Sequence, residues 1–453
     1  MPQPLIIKAL ANIPDLLALH ANNPERYPHL LSSNKTAICG DDNHDIARFD
    51  ILFACPQQTI TSDDSCFLER LDTAWLAAKQ AITPAVTASD LPFTGGWFLY
   101  LGYELAQQIE TGLSLPMAED GLPVAFASRF PAAVIIDSHK KQAFLLCETA
   151  YSECAQDIES DLQDSVDPSS YCQLFNIDGM QEDDETAYLQ QHKKLHKYIV
   201  DGDVFQVNLS RRWQTKLTSA VNHASLFHQL SQSNPGPFNA LVTLGDRAII
   251  SSSPERLIQV KDGNIQTRPI AGTRPRAADK VADENLSTEL LAHPKERAEH
   301  IMLIDLERND LGRVCEPGSI EVNELMALES YRHVHHIVSN VRGKAQKNMT
   351  PGQLIAAVFP GGTITGCPKV RCMEILAELE QLGRGAYTGS LGYLNHDGSM
   401  DLNILIRTIT READKLQFRA GGGIVVDSNP ENELNETRAK AKGLIHALQT
   451  GNR

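Results

Sequence analysis

Short apolar runs that end at tight turns fill most of the chain, and this pattern predicts many β-strands. Residues 132–146 form two apolar runs around a polar turn at Asp137–Lys140, which indicates a β-hairpin. A glycine-started aromatic strand is predicted at 95–105. Tight turns such as Asp262-Gly263 favour antiparallel pairing. The second half is predicted to contain strands at 204–217, 238–244, 247–253, 256–263, 264–273, 335–344, 389–395, 400–412 and 415–427.

Long helical patterns lie before and between these groups of strands. One opens the second half at 186–203 and ends at Gly202, where glycine favours a helix stop. Others are predicted at 294–309, 351–358, 368–381 and 430–449. Antiparallel meanders with intervening helices predict an α+β fold, in which antiparallel β-sheets pack as a sandwich with outer helices.

An acidic stretch with few apolar runs, residues 151–186, divides the chain. Its composition is typical of a connecting segment. The predicted organisation is therefore an N-terminal region (1–150), this connecting segment, and a C-terminal catalytic region (187–449).

Composition narrows the class of function. The 453 residues carry a net charge of −16, which argues against binding to nucleic acid or to an anionic membrane surface. Nine cysteines occur without any CxxC pair, so neither a zinc site nor a disulfide framework is indicated. The N-terminus lacks the features of a signal peptide, and no apolar run reaches 18 residues. A cytoplasmic location is expected.

Two pairs of glutamates are candidate ligands for a hard cation. Glu296 and Glu299 lie three residues apart on one predicted helix, and Glu433 and Glu436 repeat this spacing on another, followed by Lys440. Carboxylates with water and substrate oxygens suit Mg²⁺. Spacing alone leaves the alternative open, because such pairs are also common on solvated helix faces.

Glycine-rich turns and one arginine are candidate anion binders. Gly361, Gly362 and Gly366 precede a helix, where backbone N–H groups bind carboxylate as well as phosphate, although the GK[ST] of a phosphate loop is missing. Gly421–Gly423 expose a second stretch of bare backbone. Arg407 lies in a predicted apolar strand, where a charge is costly unless it is paired. Ordinary turns and a structural salt bridge remain the alternatives.

The ordered set of motifs resembles the chorismate-utilising enzymes. The resemblance covers about residues 185–448 and extends more weakly to residues 92–105 and 27–33. It is carried by SPER (253–256), PIAGTRPR (269–276), ERAEHIMLIDLERNDLGR (296–313), HHIVS (335–339), FPGGTITGCPKVRCMEI (359–375), YTGSLGY (387–393), IRT (406–408), AGGGIVVDS (420–428) and ENELNETRAKAK (431–442).

The resemblance implies a role for each matched residue. Glu255 would protonate the departing C4 hydroxyl, with His336 lining the pocket and Lys440 neutralising the carboxylates. Tyr387 and Arg407 would bind the enolpyruvyl carboxylate. Ring-carboxylate contacts are implied for Thr363, Gly421 and Gly423, and Mg²⁺ ligands for Glu296, Glu299, Glu433 and Glu436.

Position 206 indicates which reaction to expect. Water-using members of the family carry a lysine base there, whereas this chain has Gln206, an amide that cannot act as a base. The resemblance therefore implies amination of chorismate, with ammonia from a glutamine amidotransferase partner. The surrounding motifs favour the 4-amino-4-deoxychorismate product of p-aminobenzoate and folate synthesis. Ala271, where a nucleophilic lysine is expected, instead fits the anthranilate-forming members, which stay the alternative.

The segment at 27–33 resembles the tryptophan-binding region of the family. Ser33 is the candidate contact there. An ordinary junction between a helix and a strand is the alternative.

Overall fold

Two large antiparallel sheets form the centre of the protein, as seen in a computed structural model. The structure describes residues 5–33, 38–39, 47–62, 66–81, 90–163, 167–277, 279–331 and 334–449. Every strand pair within this part of the chain is antiparallel.

The strands fall into a 12-stranded and an 11-stranded sheet. The first sheet contains β1 (Leu5–Ala9), β2 (His29–Ser32), β4 (Phe49–Ala54), β8 (Ala132–Asp137), β9 (Gln142–Glu148), β10 (Ile177–Glu182), β11 (Gln206–Leu217), β12 (Phe238–Leu244), β13 (Arg247–Ser253), β19 (Gly366–Cys367), β22 (Thr408–Glu412) and β23 (Lys415–Ile424). The second contains β3 (Ile38–Cys39), β5 (Thr59–Thr61), β6 (Gly96–Leu101), β7 (Ala125–Phe130), β14 (Arg256–Lys261), β15 (Asn264–Thr267), β16 (Ile270–Pro275), β17 (Glu321–Tyr331), β18 (Val334–Lys344), β20 (Ser390–Asn395) and β21 (Met400–Asn403).

The helices lie outside this pair of sheets. They are α1 (Leu16–Asn22), α2 (Phe67–Ala81), α3 (Ala106–Ile109), α4 (Ser152–Asp161), α5 (Glu185–Val200), α6 (His223–Ser233), α7 (Lys280–Ala292), α8 (Pro294–Gly312), α9 (Pro351–Val358), α10 (Lys369–Glu380) and α11 (Pro430–Gln449). In the described part of the chain, no helix is long and apolar enough to cross a membrane.

Alternating side chains of the strands place apolar residues in separate layers. In β4, Ile51 and Phe53 join a core shared with Phe98 of the other sheet, whereas Leu52 joins a core covered by α1, α4, α6 and α11. A third core packs the second sheet against α2, α8 and α9. The result is a helix–sheet–sheet–helix sandwich, which confirms the predicted α+β class.

Both sheets take strands from before and after residues 151–186. That stretch itself contains α4 and β10, and β10 pairs with β11. The three-part division of the chain remains a prediction about organisation.

Two predicted strands are broken in the structure. The stretch 264–273 contains β15 and the start of β16. The stretch 400–412 ends in the second sheet at Asn403 and resumes in the first sheet at Thr408. The prediction that Arg407 lies inside a strand is therefore wrong. Arg407 lies where the chain crosses between sheets and has a φ of +52°, a region that side chains rarely adopt.

Candidate active site

Two crossings between the sheets bring the predicted acid and the predicted arginine to one place. The chain leaves β13 in the first sheet, passes through Glu255, and enters β14 in the second. The amide of Ile404 donates to the Glu255 carbonyl at 2.9 Å, and the amide of Ser252 donates to the Arg407 carbonyl at 3.1 Å. The two crossings thus support each other through the backbone.

The Glu255 carboxyl is buried and has one side-chain hydrogen bond. Thr363 donates its hydroxyl to Glu255 Oε1 at 2.9 Å, so the glycine-rich loop before α10 contacts the candidate acid. Burial raises the pKa of Glu255 to about 7, an effect that Thr363 and the charge of Lys440 partly oppose. A carboxyl with this pKa holds a proton near neutral pH and can release it in a reaction.

One face of α8 presents the first glutamate pair. Glu299 accepts a hydrogen bond from the Gln206 amide at 2.9 Å, and Glu296 accepts one from Arg274 at 3.1 Å. Burial and the negative charges of Glu296 and Glu436 raise the pKa of Glu299. The two helices therefore bring their carboxylates within electrostatic range of one another.

The second pair lies at the start of α11, against the glycine strand β23. Lys440 donates to the Gly421 carbonyl at 2.9 Å and to Glu436 at 2.8 Å. Burial and repulsion from Glu436 raise the pKa of Glu433. Burial alone would lower the pKa of Lys440, but the charge and hydrogen bond of Glu436 raise it. Lys440 thus offsets part of the carboxylate charge.

The carboxylates suit a hard cation by their chemistry, but they are not gathered as a closed ligand set. Among the residues that the structure describes, no three His, Cys, Asp or Glu side chains are grouped closely enough to hold a metal ion. Mg²⁺ commonly takes only one or two protein carboxylates and completes its shell with water and substrate oxygens. Glu299 and Glu433, whose pKa values are raised by burial and by neighbouring carboxylates, match such an open site.

Arg407 and His336 form a second wall of the site, the cationic wall, and Arg407 gives it a positive charge. Within the described chain, the Arg407 guanidinium has no hydrogen bond or ion pair with a side chain, and burial lowers its pKa. His336 accepts or shares a hydrogen bond with Thr273 at 2.9 Å, and burial together with the Arg407 charge lowers the pKa of His336 to about 3. His336 is thus neutral at physiological pH, and Arg407 is the cation of this wall.

The backbone of β23 forms the floor between the two walls. The Tyr387 hydroxyl donates to Asn208 at 3.4 Å, and a Cβ at Gly421 would lie 2.7 Å from that hydroxyl. A Cβ at Gly423 would overlap the Gln206 side chain. Both positions therefore exclude any side chain, because other residues of the protein already fill the space that a Cβ would take. The structure brings Glu255, Gln206, His336, Lys440, Thr363, Tyr387, Arg407, Gly421, Gly423 and the four glutamates to one region.

Ser33 lies elsewhere. Its amide donates to Asp50 at 2.6 Å and its hydroxyl to the Phe49 carbonyl at 2.7 Å. It lines a cavity of about 550 Å³ with Tyr393 and the Arg256–Asp401 ion pair, whose atoms are 2.8 Å apart. A tryptophan site at Ser33 remains a prediction.

Sequence reasoning missed one member of the cationic wall. Tyr331, at the end of β17, packs its ring edge against His336 with ring centroids 5.3 Å apart. Its hydroxyl donates to Glu329 at 2.6 Å, and Glu329 is already bound by Arg268 at 2.5 Å. The signal in the sequence was a tyrosine shortly before the HHIVS motif (335–339). A tyrosine in a strand usually indicates packing alone, so this signal did not predict a place in the site.

Comparison with known proteins gives consistent similarities. Residues 34–446 match the family described as chorismate binding enzyme. An anthranilate synthase component I-like protein of Synechocystis is 43% identical over 79% of this chain and 74% of its own. Aminodeoxychorismate synthase component 1 of Salmonella typhimurium is 37% identical over 90% of this chain and 92% of its own. The crystal structure of anthranilate synthase component I from Streptococcus pneumoniae is 31% identical with a TM-score of 0.78, covering 91% of this chain and 94% of that one.

Proposed function

Because the chain belongs to the chorismate-binding enzyme family, we propose that it is an aminodeoxychorismate synthase component 1. It would convert chorismate and ammonia to 4-amino-4-deoxychorismate, on the route to p-aminobenzoate and folate. Relatives that bear this name are 35–39% identical and cover 77–96% of their own length. The observation that carries the choice of amination is Gln206, whose amide is buried and donates to Glu299 Oε1 at 2.9 Å.

Gln206 distinguishes ammonia from water as the nucleophile. Its Nε2 donates to Glu299, and its Oε1 is a buried acceptor without a hydrogen-bond partner among the described residues. An amide cannot remove a proton from water, but a free carbonyl oxygen can accept an N–H of ammonia. Ammonia is already nucleophilic and needs no base.

The acid step belongs to Glu255. Hydroxide is a poor leaving group, so the C4–O bond breaks more easily when the Glu255 carboxyl gives its proton to the departing oxygen, which leaves as water. A C–N bond forms as ammonia attacks the ring, and the proton released from the new ammonium group can restore Glu255. Ala271 supplies no nucleophile, so this attack proceeds without a covalent link to residue 271.

Substrate orientation would come from the two charged walls and the glycine floor. A guanidinium fork grips a carboxylate at two points, so Arg407 with Tyr387 would hold the enolpyruvyl carboxylate. Thr363, Gly421 and Gly423 would contact the ring carboxylate. Mg²⁺ would be held by Glu296, Glu299, Glu433 and Glu436, directly or through water, and would supply positive charge opposite the substrate carboxylate.

The proposal includes two binding partners. Several relatives are named component 1 of an enzyme, which supports the existence of a second component. We propose that this partner is a glutamine amidotransferase that delivers ammonia. We also propose that tryptophan occupies the cavity beside Ser33. Titration of the protein with tryptophan tests this proposal. The Ser33→Trp variant, whose added side chain would fill the cavity, is the control. Equal tryptophan binding by the unaltered protein and the variant would contradict the proposal.

Anthranilate synthesis is the second candidate, because Ala271 matches the anthranilate-forming pattern and anthranilate synthases are among the relatives. Product analysis separates the two. Purified protein is incubated with chorismate, Mg²⁺ and ammonium, with and without an aminodeoxychorismate lyase. We expect p-aminobenzoate only when the lyase is present. Anthranilate formed without the lyase would establish the other product, and no consumption of chorismate at high ammonium would contradict both.

A further inference from the structure

A cavity that borders the candidate active site at Tyr387 lies further along the same strands. It has a volume of about 420 Å³ and lies against β11, β22 and β23, beneath the loop segments 118–120 and 382–387. Arg212 and Arg419 face it from directly opposed positions of β11 and β23. Side chains two residues apart share a face of a strand, so Arg419 lies on the same face of β23 as Gly421 of the candidate active site, about 7 Å away along the strand.

Two arginines opposite each other are an unfavourable pair unless their charge is compensated. Here the compensation is incomplete. Among the described residues, Glu380 is the one acid within hydrogen-bond distance of Arg419, at 2.9 Å, and it is also bound by Arg384 at 2.8 Å. Although burial alone would raise it, the charges of Arg384 and Arg419 hold the pKa of Glu380 below its usual range. One buried carboxylate therefore serves two buried guanidinium groups.

The third guanidinium, Arg212, lacks a close partner in the part of the chain that is described. Its nearest carboxylate oxygens belong to Asp183 at 3.7 Å and Glu119 at 3.8 Å, both beyond hydrogen-bond contact, and the Glu119 side chain is 73% exposed. The Arg212 side chain is itself only 20% exposed, and its Nε is buried without a hydrogen bond. Most of its donors are therefore available to a ligand.

Arg419 adds a buried donor without a partner. Its side chain is 6% exposed, with Nε bonded to Ser210 at 3.1 Å and Nη2 to Glu380. Its Nη1 has no hydrogen-bond partner among the described residues. A buried charged donor left unmatched costs free energy, and a bound acceptor removes that cost.

The remaining acid of the cavity, Asp120, makes no ion pair with the three arginines in the described part of the chain. Its Oδ1 accepts the Leu122 amide at 3.1 Å, and burial raises the pKa of its carboxyl.

We propose that this cavity, with Arg212 and Arg419 facing each other across β11 and β23, is a binding site for a small carboxylate anion. The planar guanidinium fork matches a carboxylate at two points, and Thr410 and Gln417 add polar groups to the lining. The cavity is lined by Tyr387 of the candidate active site and by Arg384, whose guanidinium lies 5.5 Å from the centroid of the Tyr387 ring. A carboxylate bound here would hold the segment that carries Tyr387 in place.

Binding of sodium acetate to the full chain by isothermal titration calorimetry tests this proposal, at constant ionic strength set with sodium chloride. No chorismate is needed, so the outcome is separate from that of the proposed function. We expect saturable binding by the unaltered protein and a dissociation constant about 10- to 100-fold higher in Arg212→Gln, from loss of a charge-assisted interaction.

The matched control is Arg342→Gln, which removes a surface arginine paired with Glu321 at 2.6 Å. Its acetate affinity should equal that of the unaltered protein. Thr410→Val is a second variant of the cavity, and it keeps all three arginines, so a smaller loss of affinity is expected. Absence of acetate binding to the unaltered protein, or unchanged affinity in both cavity variants, would overturn the proposal.

Discussion

The two walls of the candidate active site differ in which charge they leave uncompensated. The acidic wall is formed by Glu296 and Glu299 on α8 and by Glu433 and Glu436 on α11, where burial and the repulsion between carboxylates raise the pKa of Glu299. The cationic wall presents Arg407 without an acid among the described residues. Isolated buried charge is costly, so a ligand of opposite sign would stabilise each wall. The acidic wall suits a cation and the cationic wall a carboxylate.

The acid that contacts Tyr331 of the cationic wall is committed to other partners. Glu329 binds Arg268 at 2.5 Å and accepts the Tyr331 hydroxyl at 2.6 Å. Arg268 also pairs with Glu324 at 2.6 Å. A cluster of paired groups, formed by Arg268, Glu324, Glu329 and Tyr331, therefore lies close to Arg407, which has no acidic partner in the described chain. We propose that a substrate carboxylate binds at Arg407.

The largest expected effect comes from the acid between the walls. Glu255→Gln keeps the size of the side chain and removes its transferable proton, so kcat should fall by about 10²–10⁴-fold. In the unaltered protein the protonated form is required, and its pKa is about 7. The rate should therefore fall as pH rises above about 7, by nearly tenfold per pH unit at higher pH. Initial rates of chorismate consumption from pH 5.5 to 9, with total ammonium adjusted so that the concentration of free ammonia stays constant, measure both effects.

A pH-independent rate in the unaltered protein would contradict this role of Glu255. Glu380→Gln is not a suitable control, because Glu380 holds Arg384 and Arg419 together. Glu431→Gln is suitable, because Glu431 lies exposed at the start of α11, and its pH profile should match that of the unaltered protein.

Loss of the cationic wall should have the next largest effect. Arg407→Met removes the guanidinium and leaves a substrate carboxylate buried without a partner, at a cost of about 2–5 kcal/mol, or about 30- to 5,000-fold in kcat/KM. The control is Arg411→Met on β22, where the arginine bonds to the carbonyl groups of Ala413 and Val221. A fall in kcat/KM as large in the control as at Arg407 would show that the loss is structural.

Weakening the acidic wall should change the metal requirement rather than the chorismate requirement. Glu299→Gln removes one charge and keeps the shape, so the Mg²⁺ concentration for half-maximal rate should rise by about 10- to 100-fold. Dialysis against a chelator should abolish activity, and Mg²⁺ should restore it. An unchanged Mg²⁺ requirement in this variant would remove Glu299 from the proposed ligands.

Most of the fold was predictable because its signals are local. Turn residues and short apolar runs located β12 and β13 to the residue, and predicted helix starts at Pro294, Pro351 and Pro430 are confirmed by the structure. The crossing at Arg407 was not predictable in this way. The sequence at 400–412 predicts one apolar strand, because both sheets bury their strands and no glycine or proline separates the two parts.

The site was predictable only through a resemblance. Spacing placed Glu296 with Glu299 and Glu433 with Glu436, but nothing local shows that 134 residues further along the chain a second helix returns to the first. The partner of Glu299, Gln206, likewise comes from 93 residues away. Long-range contacts of this kind depend on how the sheets assemble, and single-sequence patterns contain no information about that assembly.

The smallest effect is expected from a change in the cluster of Arg268, Glu324, Glu329 and Tyr331 that lies close to Arg407. Tyr331→Phe keeps the ring against His336 and removes the hydrogen bond to Glu329, so Glu329 gains freedom to attract Arg407 away from the substrate. KM for chorismate should rise by about three- to tenfold while kcat changes little, since one hydrogen bond to a charged group is worth about 1–2 kcal/mol at most here. Tyr198→Phe is the matched control, because it removes a hydrogen bond of 2.8 Å to Glu378 on the surface. Equal KM values in the two variants would mean that Tyr331 contributes only packing. They would also mean that the hydrogen bond from Tyr331 to Glu329 is not needed to keep Arg407 unpaired.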